Sequence, residues 1–189
     1  MSDRKPLDAY FTPRPLAKAI VNRVSCLISP PTRILEPAAG GGSFVQACVE
    51  TWRAARVAAV DLDPTCRESC LAAGASGFAA ADARTLTVPP VDLIIGNPPF
   101  SDAEAIIVNL LKASGGTPLA FLLRVGFLAG PRCKPGRLFE KHPVSYLAPI
   151  FPRPSFTADG RTDASEYALF VFGAVLETGV GSPITWERP

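Results

Sequence analysis

The sequence predicts an α/β protein built on a mostly parallel, doubly wound sheet, and three observations carry that reading. Short aliphatic runs alternate with segments of helical spacing; a glycine-rich loop joins the first aliphatic run to the helix after it; and 48% of the residues are apolar against 19% charged, enough to bury a sheet on both faces. Phe11-Thr12-Pro13 precedes an amphipathic helix that Pro13 starts. Residues 33–35 read as a buried strand before Glu36, and residues 43–54 as the helix into which the glycine loop opens. The next aliphatic strand is 56–60, ended by Asp61 to Pro64, with a helix at 65–73 stopped by Gly74. A weaker strand at 78–80 ends near Asp82, and the uninterrupted aliphatic strand 91–95 is stopped by Gly96 and the turn Asn97-Pro98-Pro99-Phe100. Residues 102–114 have helical spacing, with Asp102 and Glu104 in the first turn, where the helix dipole favours them. Strands at 119–125, 145–150 and 167–172 complete the pattern, the last two close enough for an antiparallel end.

The chain of 189 residues is expected to be one domain spanning 1–189. Its longest oily stretch, 118–130, is broken by Arg124, short of the roughly 18 uncharged apolar residues a membrane helix needs. Asp3, Arg4, Lys5 and Asp8 are followed by no apolar run, so no secretory signal is expected. Cys26, Cys48, Cys66, Cys70 and Cys133 form neither a disulfide framework nor a paired zinc motif, which predicts reduced, mostly buried thiols, a cytoplasmic setting and no metal. Cys66 and Cys70 share a helix face with no second pair or His beside them, and read as packing.

The net charge of +2 is unevenly distributed: +3 over residues 1–24, −3 over 25–123, +5 over 124–161 and −3 over 162–189. The +5 segment holds Arg124, Arg132, Lys134, Arg137, Lys141, Arg153 and Arg161, interleaved with Phe139, Tyr146, Phe151 and Phe156. Its loop-rich part, 131–165, reads either as a face for a polyanion or as a solvated loop. His142 has no Asp or Ser at catalytic spacing and reads as a surface or nucleic-acid contact.

The loop from Glu36 through Ala38, Gly40 and Gly42 to Phe44 lies at a strand's carboxyl end, where open α/β sheets bind ligands. Asp61 ends the next strand 19 residues past Gly42, the spacing at which a carboxylate accepts from ribose hydroxyls. A dinucleotide fits poorly, because Val45 stands where the third glycine of its fingerprint would fall and Glu36 would repel a pyrophosphate. S-adenosylmethionine, an adenosine carrying a sulfonium and an ammonium, has the charge this loop suits. The alternative is that Glu36 only partners the helix dipole and the glycines only make a turn. Asp82 ends the third strand and reads either as an acceptor for the cofactor's adenine amino group, with Ala83 beside it, or as a surface carboxylate. Phe44 and Leu62 read first as core and second as cofactor contacts.

Taken in order, Phe11-Thr12-Pro13, the Glu36 to Phe44 loop, Val60-Asp61-Leu62-Asp63-Pro64, Asp82 and Asn97-Pro98-Pro99-Phe100 resemble the motifs of class I amino-methyltransferases acting on adenine in DNA. The motifs cover residues 10–100, and strand pattern alone extends the likeness over about 118–173. The resemblance implies a Rossmann-like class I methyltransferase fold, a mostly parallel seven-stranded sheet with an antiparallel end. It implies S-adenosylmethionine as cofactor, bound by Phe11, Thr12, Glu36, Ala38, Gly40, Gly42, Phe44, Asp61, Leu62, Asp82, Ala83 and Asn97. It also implies that Asn97, Pro98, Pro99 and Phe100 form the catalytic turn. An adenine amino nitrogen is a poor nucleophile because its lone pair is delocalised into the ring. Acceptors at the Asn97 side-chain oxygen and the Pro98 carbonyl would pull that nitrogen toward a tetrahedral geometry, with positioning and electrostatics supplying the rate. The Pro98-Pro99 pair holds the carbonyl at a fixed φ, and a base stacked on Phe100 gains about 1–3 kcal/mol.

A base inside a duplex is out of reach of such a turn, so the adenine must be flipped or single-stranded. Arg132, Lys134, Arg137, Lys141, Arg153 and Arg161, with Arg4, Lys5 and Arg14, are the expected nucleic-acid contacts. Other readings are methyl transfer to RNA or to a protein glutamine amide, and a non-catalytic subunit of the same fold; a nicotinamide-dependent oxidoreductase is disfavoured by Glu36 and Val45. Only 89 residues follow Phe100, which predicts short or relaxed sequence specificity read by residues 131–143 and 152–165, or specificity supplied by a partner, and leaves a homodimer open.

Overall fold

The computed structural model of the chain describes residues 12–129, 137–156, 165–173, 175–176 and 178–187. Helix α1 (Arg14–Ser25) carries Pro15 in its first turn, where a missing N–H costs nothing, and turns Leu16, Ala17, Ile20, Val21 and Val24 inward. Strand β1 (Arg33–Glu36) runs through the glycine loop into α2 (Ser43–Thr51); then come β2 (Arg56–Asp61), a 3-10 turn (Pro64–Cys66), α3 (Arg67–Ala72) and β3 (Gly77–Ala80). The second half comprises β4 (Leu93–Gly96), α4 (Ala103–Ala113), β5 (Leu119–Arg124), a 3-10 turn (Val125–Leu128), α5 (Leu138–Lys141), β6 (Val144–Phe151), β7 (Tyr167–Phe172), β8 (Gly179–Val180) and β9 (Ile184–Thr185).

The main strands lie in the order β3, β2, β1, β4, β5, β7, β6. β3 through β5 are parallel, and β7 pairs antiparallel with both β5 and β6. This is the expected seven-stranded sheet with an antiparallel end. Beyond it, β8 and β9 each add a two-residue parallel pairing to β6, too short to register as a sequence pattern.

Both faces of the sheet are covered, which is why its strands read as continuous aliphatic runs. Ile34, Leu93, Ile95, Ala120 and Leu122 pack toward α1 and α2. Their neighbours Leu35, Ile94, Leu119, Phe121 and Leu123 pack toward Ile106, Ile107 and Leu110 of α4. Full burial of each large side chain is worth about 1.5–3 kcal/mol.

Most boundaries lie within one residue of expectation; three differ by more, each for a local reason. Helix α2 stops at Thr51 because Trp52 leaves the helical region (φ −119°, ψ 78°) to pack in the core. The helix expected at 65–73 opens as a 3-10 turn because the Asp63 carboxylate accepts from the Thr65 N–H at 2.9 Å. Strand β4 starts at Leu93 because the Asp92 carboxylate accepts from the Thr32 hydroxyl (2.7 Å) and from the N–H groups of Thr32 and Arg33 (2.9 Å each), stapling the start of β1. Those bonds, Thr32's first, hold the Asp92 carboxyl down at about 2.

Among the described residues no helix is long and apolar enough to cross a membrane. Of the cysteines, Cys48 and Cys70 are buried, Cys66 is half-buried and Cys26 is exposed; Cys133 lies outside the described residues.

Candidate active site

The strand order reverses at β1: the chain moves out through β2 and β3 on one side and through β4 and β5 on the other. The carboxyl ends of β1 and β4 therefore open side by side into a crevice, the position where open α/β sheets hold ligands. Glu36 ends β1 and Gly96 ends β4, so close that a Cβ on Gly96 would lie 3.5 Å from Glu36 Cγ. The resulting cleft is lined by Thr12, Glu36, Ala38, Ala39, Gly40, Gly41, Ser43, Phe44 and Asn97. Thus Thr12, Glu36, Ala38, Gly40, Phe44 and Asn97, named separately along the sequence, share one wall.

The glycine loop is braced from behind. Asp61, at the end of β2, accepts from Gly40 N–H at 2.7 Å and from Asp63 N–H at 2.9 Å, so one carboxylate fixes both the loop and its own turn. Gly42 sits at φ +78°, and a Cβ there would meet Ala73 Cβ at 2.9 Å and Cys70 Cα at 3.3 Å. The left-handed backbone and the approach of α3 both require glycine. The Cys70 thiol donates to Gly40 O at 3.5 Å and is pushed up to about 12, first by burial and then by the Glu36 charge, so it packs as an inert group.

Glu36 is 2% exposed. Val45 N–H donates to its carboxylate, while Oε2 is buried without a hydrogen-bond partner. Burial, reinforced by the nearby Asp61 charge, raises its carboxyl well above the ordinary 4.5. An unsatisfied buried acceptor at the cleft wall favours a cationic ligand group over a phosphate.

Asn97 donates from Nδ2 to Thr12 Oγ1 at 3.1 Å, and Ser43 donates its hydroxyl to Thr12 O at 2.7 Å. The Thr12 hydroxyl thus serves Asn97, while the N-cap position of α1 is taken by Pro13 without a side-chain bond. Pro98 is buried, and Phe100, half-buried, packs against Phe156, Tyr167 and Arg124.

Leu62, Asp82 and Ala83 stand apart from the cleft lining. Leu62 is 52% exposed, which overturns its reading as core. Phe44, at 1%, is core as well as cleft wall. The Asp82 carboxylate is clasped by Arg84, with Nη2 to Oδ2 at 2.7 Å, and Arg84 reaches on to Asp102 at 3.3 Å. Arg84 also holds the Asp82 carboxyl below its usual range. Ala83 is buried in the α4-side core, its carbonyl accepting from Asn109 at 3.0 Å. Phe11 lies outside the described residues.

Of the expected nucleic-acid contacts, Arg14, Arg137 and Lys141 are exposed, and Arg153 pairs with Glu166. Arg4, Lys5, Arg132, Lys134 and Arg161 lie outside the described residues. Two of the four interleaved aromatics are unavailable to a polyanion. Tyr146 is buried and accepts from Arg23 at 2.7 Å, and Phe139 packs edge-on against Phe127 at 5.7 Å. Phe156 turns to Phe100, and Phe151 is exposed. His142 caps the C-terminus of α5, its backbone N–H bonded to Leu138 O. Sequence reasoning missed Ser43, Cys70 and Tyr167 as supports of the site, because each acts through a partner distant in sequence, and it missed Arg84, which clasps the nearby Asp82.

No protein-family model matches the chain. The chain is 30% identical over 99 residues to the Type II methyltransferase M.CvrRI of Paramecium bursaria Chlorella virus XZ-6E, covering 52% of this chain and 26% of that protein. It is 32% identical over 102 residues to the Type II methyltransferase M.XamI of Xanthomonas campestris pv. amaranthicola, covering 49% and 19%. The chain thus matches about a quarter or less of the length of these curated relatives. Among solved structures, it resembles a modification subunit of a putative type I restriction enzyme from Vibrio vulnificus YJ016 (TM-score 0.68, 14% identity, 95% of this chain and 48% of that one). It also resembles the 23S rRNA methyltransferase ErmE (TM-score 0.63, 18% identity, 90% and 71%). These likenesses show the fold: a Rossmann-like class I methyltransferase fold.

Proposed function

We propose that this chain is a methyltransferase domain that uses S-adenosylmethionine to methylate the exocyclic 6-amino group of adenine in DNA. The observation that carries the reading is the position of Asn97-Pro98-Pro99-Phe100: the turn leaves β4 beside the Glu36 and glycine-loop end of β1, so that Asn97 lines the same cleft as the loop. The likeness to two Type II methyltransferases supports it.

The residues present fit the cofactor. The buried Glu36 Oε2 is an acceptor for its ammonium, Gly40 and Gly42 let the backbone approach it closely, and Asp61 keeps lone pairs for ribose hydroxyls beyond its two backbone bonds. The exposed Leu62, next to Asp61, offers an apolar surface for the adenine. When bound, S-adenosylmethionine supplies the electrophilic methyl group.

This chain's residues prepare the nucleophile. Asn97 Oδ1 and the Pro98 carbonyl each accept one hydrogen of the target amino group, which frees its lone pair. Thr12 holds the other end of the Asn97 amide. Asn97 is neutral, so it orients the amino group without acting as a strong base, and the proton leaves after transfer, when the nitrogen is acidic. Phe100 stacks on the flipped base, and Arg137, Lys141 and the loop-rich basic segment contact the DNA backbone.

Tritiated S-adenosylmethionine incubated with double-stranded DNA, single-stranded DNA, RNA and protein acceptors, followed by digestion to nucleosides, tests the reading. Label in N6-methyladenine from DNA is the expected result; label only in RNA or in protein glutamine moves the acceptor assignment, and no label anywhere removes the enzyme. Asn97→Ala abolishes transfer while leaving cofactor affinity within a few-fold by calorimetry, because the side chain acts on the acceptor. An equal loss of cofactor affinity overturns its role.

A further inference from the structure

The ring of Phe100 is held on several sides. The Arg124 guanidinium carbon lies 4.7 Å from the ring centroid, over the ring. Tyr167 lies at 5.6 Å with its plane tilted 46°, and Phe156 meets Phe100 edge to face at 6.2 Å and 69°. Phe156 and Tyr167 close on each other at 5.0 Å.

Strand order produces this grouping. β4 and β5 are parallel neighbours with Gly96 opposite Phe121, so Phe100, in the turn that follows β4, and Arg124, the last residue of β5, come together at the same carboxyl edge of the sheet. Arg124 in turn faces Tyr167 across the β5 and β7 pair. Charge alone groups Arg124 with the basic segment that follows it, yet its position ties it to the turn that holds Phe100.

A planar cation over an aromatic ring has two consequences for a ligand. It restricts the ring's tilt, and it draws π density toward itself, so that the opposite face repels an electron-rich heteroaromatic ring less. We propose that Arg124 is a positioning residue for the acceptor base: stacked on Phe100, it fixes the ring plane against which the base lies while Asn97 and Pro98 hold the base's amino group. This inference rests on the adenine reading above and deepens it. Because Arg124 acts through Phe100, it governs capture of the base and leaves cofactor binding alone.

The test uses the whole chain with Arg124→Met, which removes the cation at similar reach, and Arg124→Lys, which keeps charge without the planar stack. The measurements are cofactor affinity by calorimetry, kcat and KM for a DNA that the acceptor panel identifies as substrate, and the fluorescence of 2-aminopurine placed at its target position. Arg124→Met is expected to raise KM for DNA by roughly 3- to 30-fold, the range a ring-to-guanidinium contact supports, and to diminish the 2-aminopurine signal. Cofactor affinity and kcat at saturating DNA stay within about twofold. Arg124→Lys falls between Arg124→Met and wild type.

Unchanged KM and fluorescence in Arg124→Met overturn the proposal. So does a KM increase that comes with a shallower salt dependence and an unchanged 2-aminopurine signal, the signature of a phosphate contact. Should Arg124→Met fail to fold, Arg124→Lys with wild-type KM and fluorescence overturns it equally. If the wild type labels no adenine, the functional reading falls; if it labels adenine and the Arg124 variants behave as wild type, only this inference falls.

Discussion

Asn97 and Thr12, 85 residues apart in sequence, are joined by a 3.1 Å hydrogen bond from the Asn97 amide nitrogen to the Thr12 hydroxyl. The Thr12 backbone is itself fixed by Ser43 at the start of α2. The chain thus connects the segment ahead of α1, the helix that follows the glycine loop and the turn after β4 through one threonine. With the amide nitrogen engaged by Thr12, Oδ1 is the acceptor end of Asn97.

Thr12→Val keeps the shape and removes the hydroxyl. The amide then loses this anchor, and misoriented acceptor geometry is penalised mainly in the chemical step. The expected outcome is a fall in kcat of about tenfold or more, exceeding any change in cofactor affinity, with Thr12→Ser restoring most of the rate. Parallel steady-state kinetics and calorimetry check this. A Thr12→Val enzyme with wild-type kcat removes Thr12 from the positioning of Asn97.

Asp61 carries two backbone bonds as well as its expected ligand role. Asp61→Ala leaves the Gly40 and Asp63 N–H groups without this acceptor, and each such loss costs about 1–3 kcal/mol where the donor is shielded from water. The variant should melt earlier and bind S-adenosylmethionine at least about tenfold more weakly. Asp61→Asn, which retains one acceptor oxygen, should recover part of the stability and less of the affinity. Unchanged affinity in Asp61→Ala, measured by calorimetry, takes Asp61 out of the ribose role.

The parts of this fold that a sequence reveals are those written in local physics. β1, β2, β4 and β5 are buried on both faces, so their aliphatic runs announce them. The glycine loop and Asp61 are legible because a left-handed backbone position and a carboxylate at a strand end leave residue-type signatures. What stays hidden is set by strand order. The pairing of Arg124 with Phe100, of Arg84 with Asp102 and of Thr12 with Asn97 follows from β4 lying between β1 and β5, and no spacing encodes it. Leu62 misled because an apolar residue after an aliphatic strand reads as core; only its place past the sheet's carboxyl edge exposes it. Helix α5, four residues long, is barely more than one helical turn, too short for a repeat to show in the sequence.

Gly42→Ala tests whether the loop's shape is required. Its φ of +78° disfavours a side chain, and the new Cβ would be driven to 2.9 Å from Ala73 Cβ, with α3 backbone behind it. A strained, crowded position of this kind costs about 1–3 kcal/mol, which should appear as a lower Tm and weaker cofactor binding together. A Gly77→Ala control adds a Cβ that meets nothing within 4 Å, at a residue outside the cleft lining. Full stability and affinity in Gly42→Ala contradict the close approach of α3.

Glu36 gives the protein a pH signature whose sign can be worked out. Burial raises its carboxyl above the ordinary 4.5, so the folded, ligand-free protein holds this proton more tightly than the unfolded chain does. Stability from that difference is complete below the unfolded value and is lost as pH rises through the folded value. Glu36→Gln cannot ionise, and its side-chain oxygen can still accept from Val45 N–H. Without cofactor, the variant should match the wild type near pH 4.5 and become progressively more stable than it toward about pH 8, as melting curves at the two pH values would register. Cofactor reverses the ranking. A cationic ligand stabilises ionised Glu36, so wild-type affinity for S-adenosylmethionine should strengthen with rising pH over the interval in which Glu36 titrates. Glu36→Gln should bind about 10- to 100-fold more weakly at neutral pH, the scale of one charged hydrogen bond, with a flatter pH dependence. A Glu36→Gln variant that is less stable than the wild type at both pH values, and binds cofactor equally well, would contradict both the burial of a neutral carboxyl and its service to a cation.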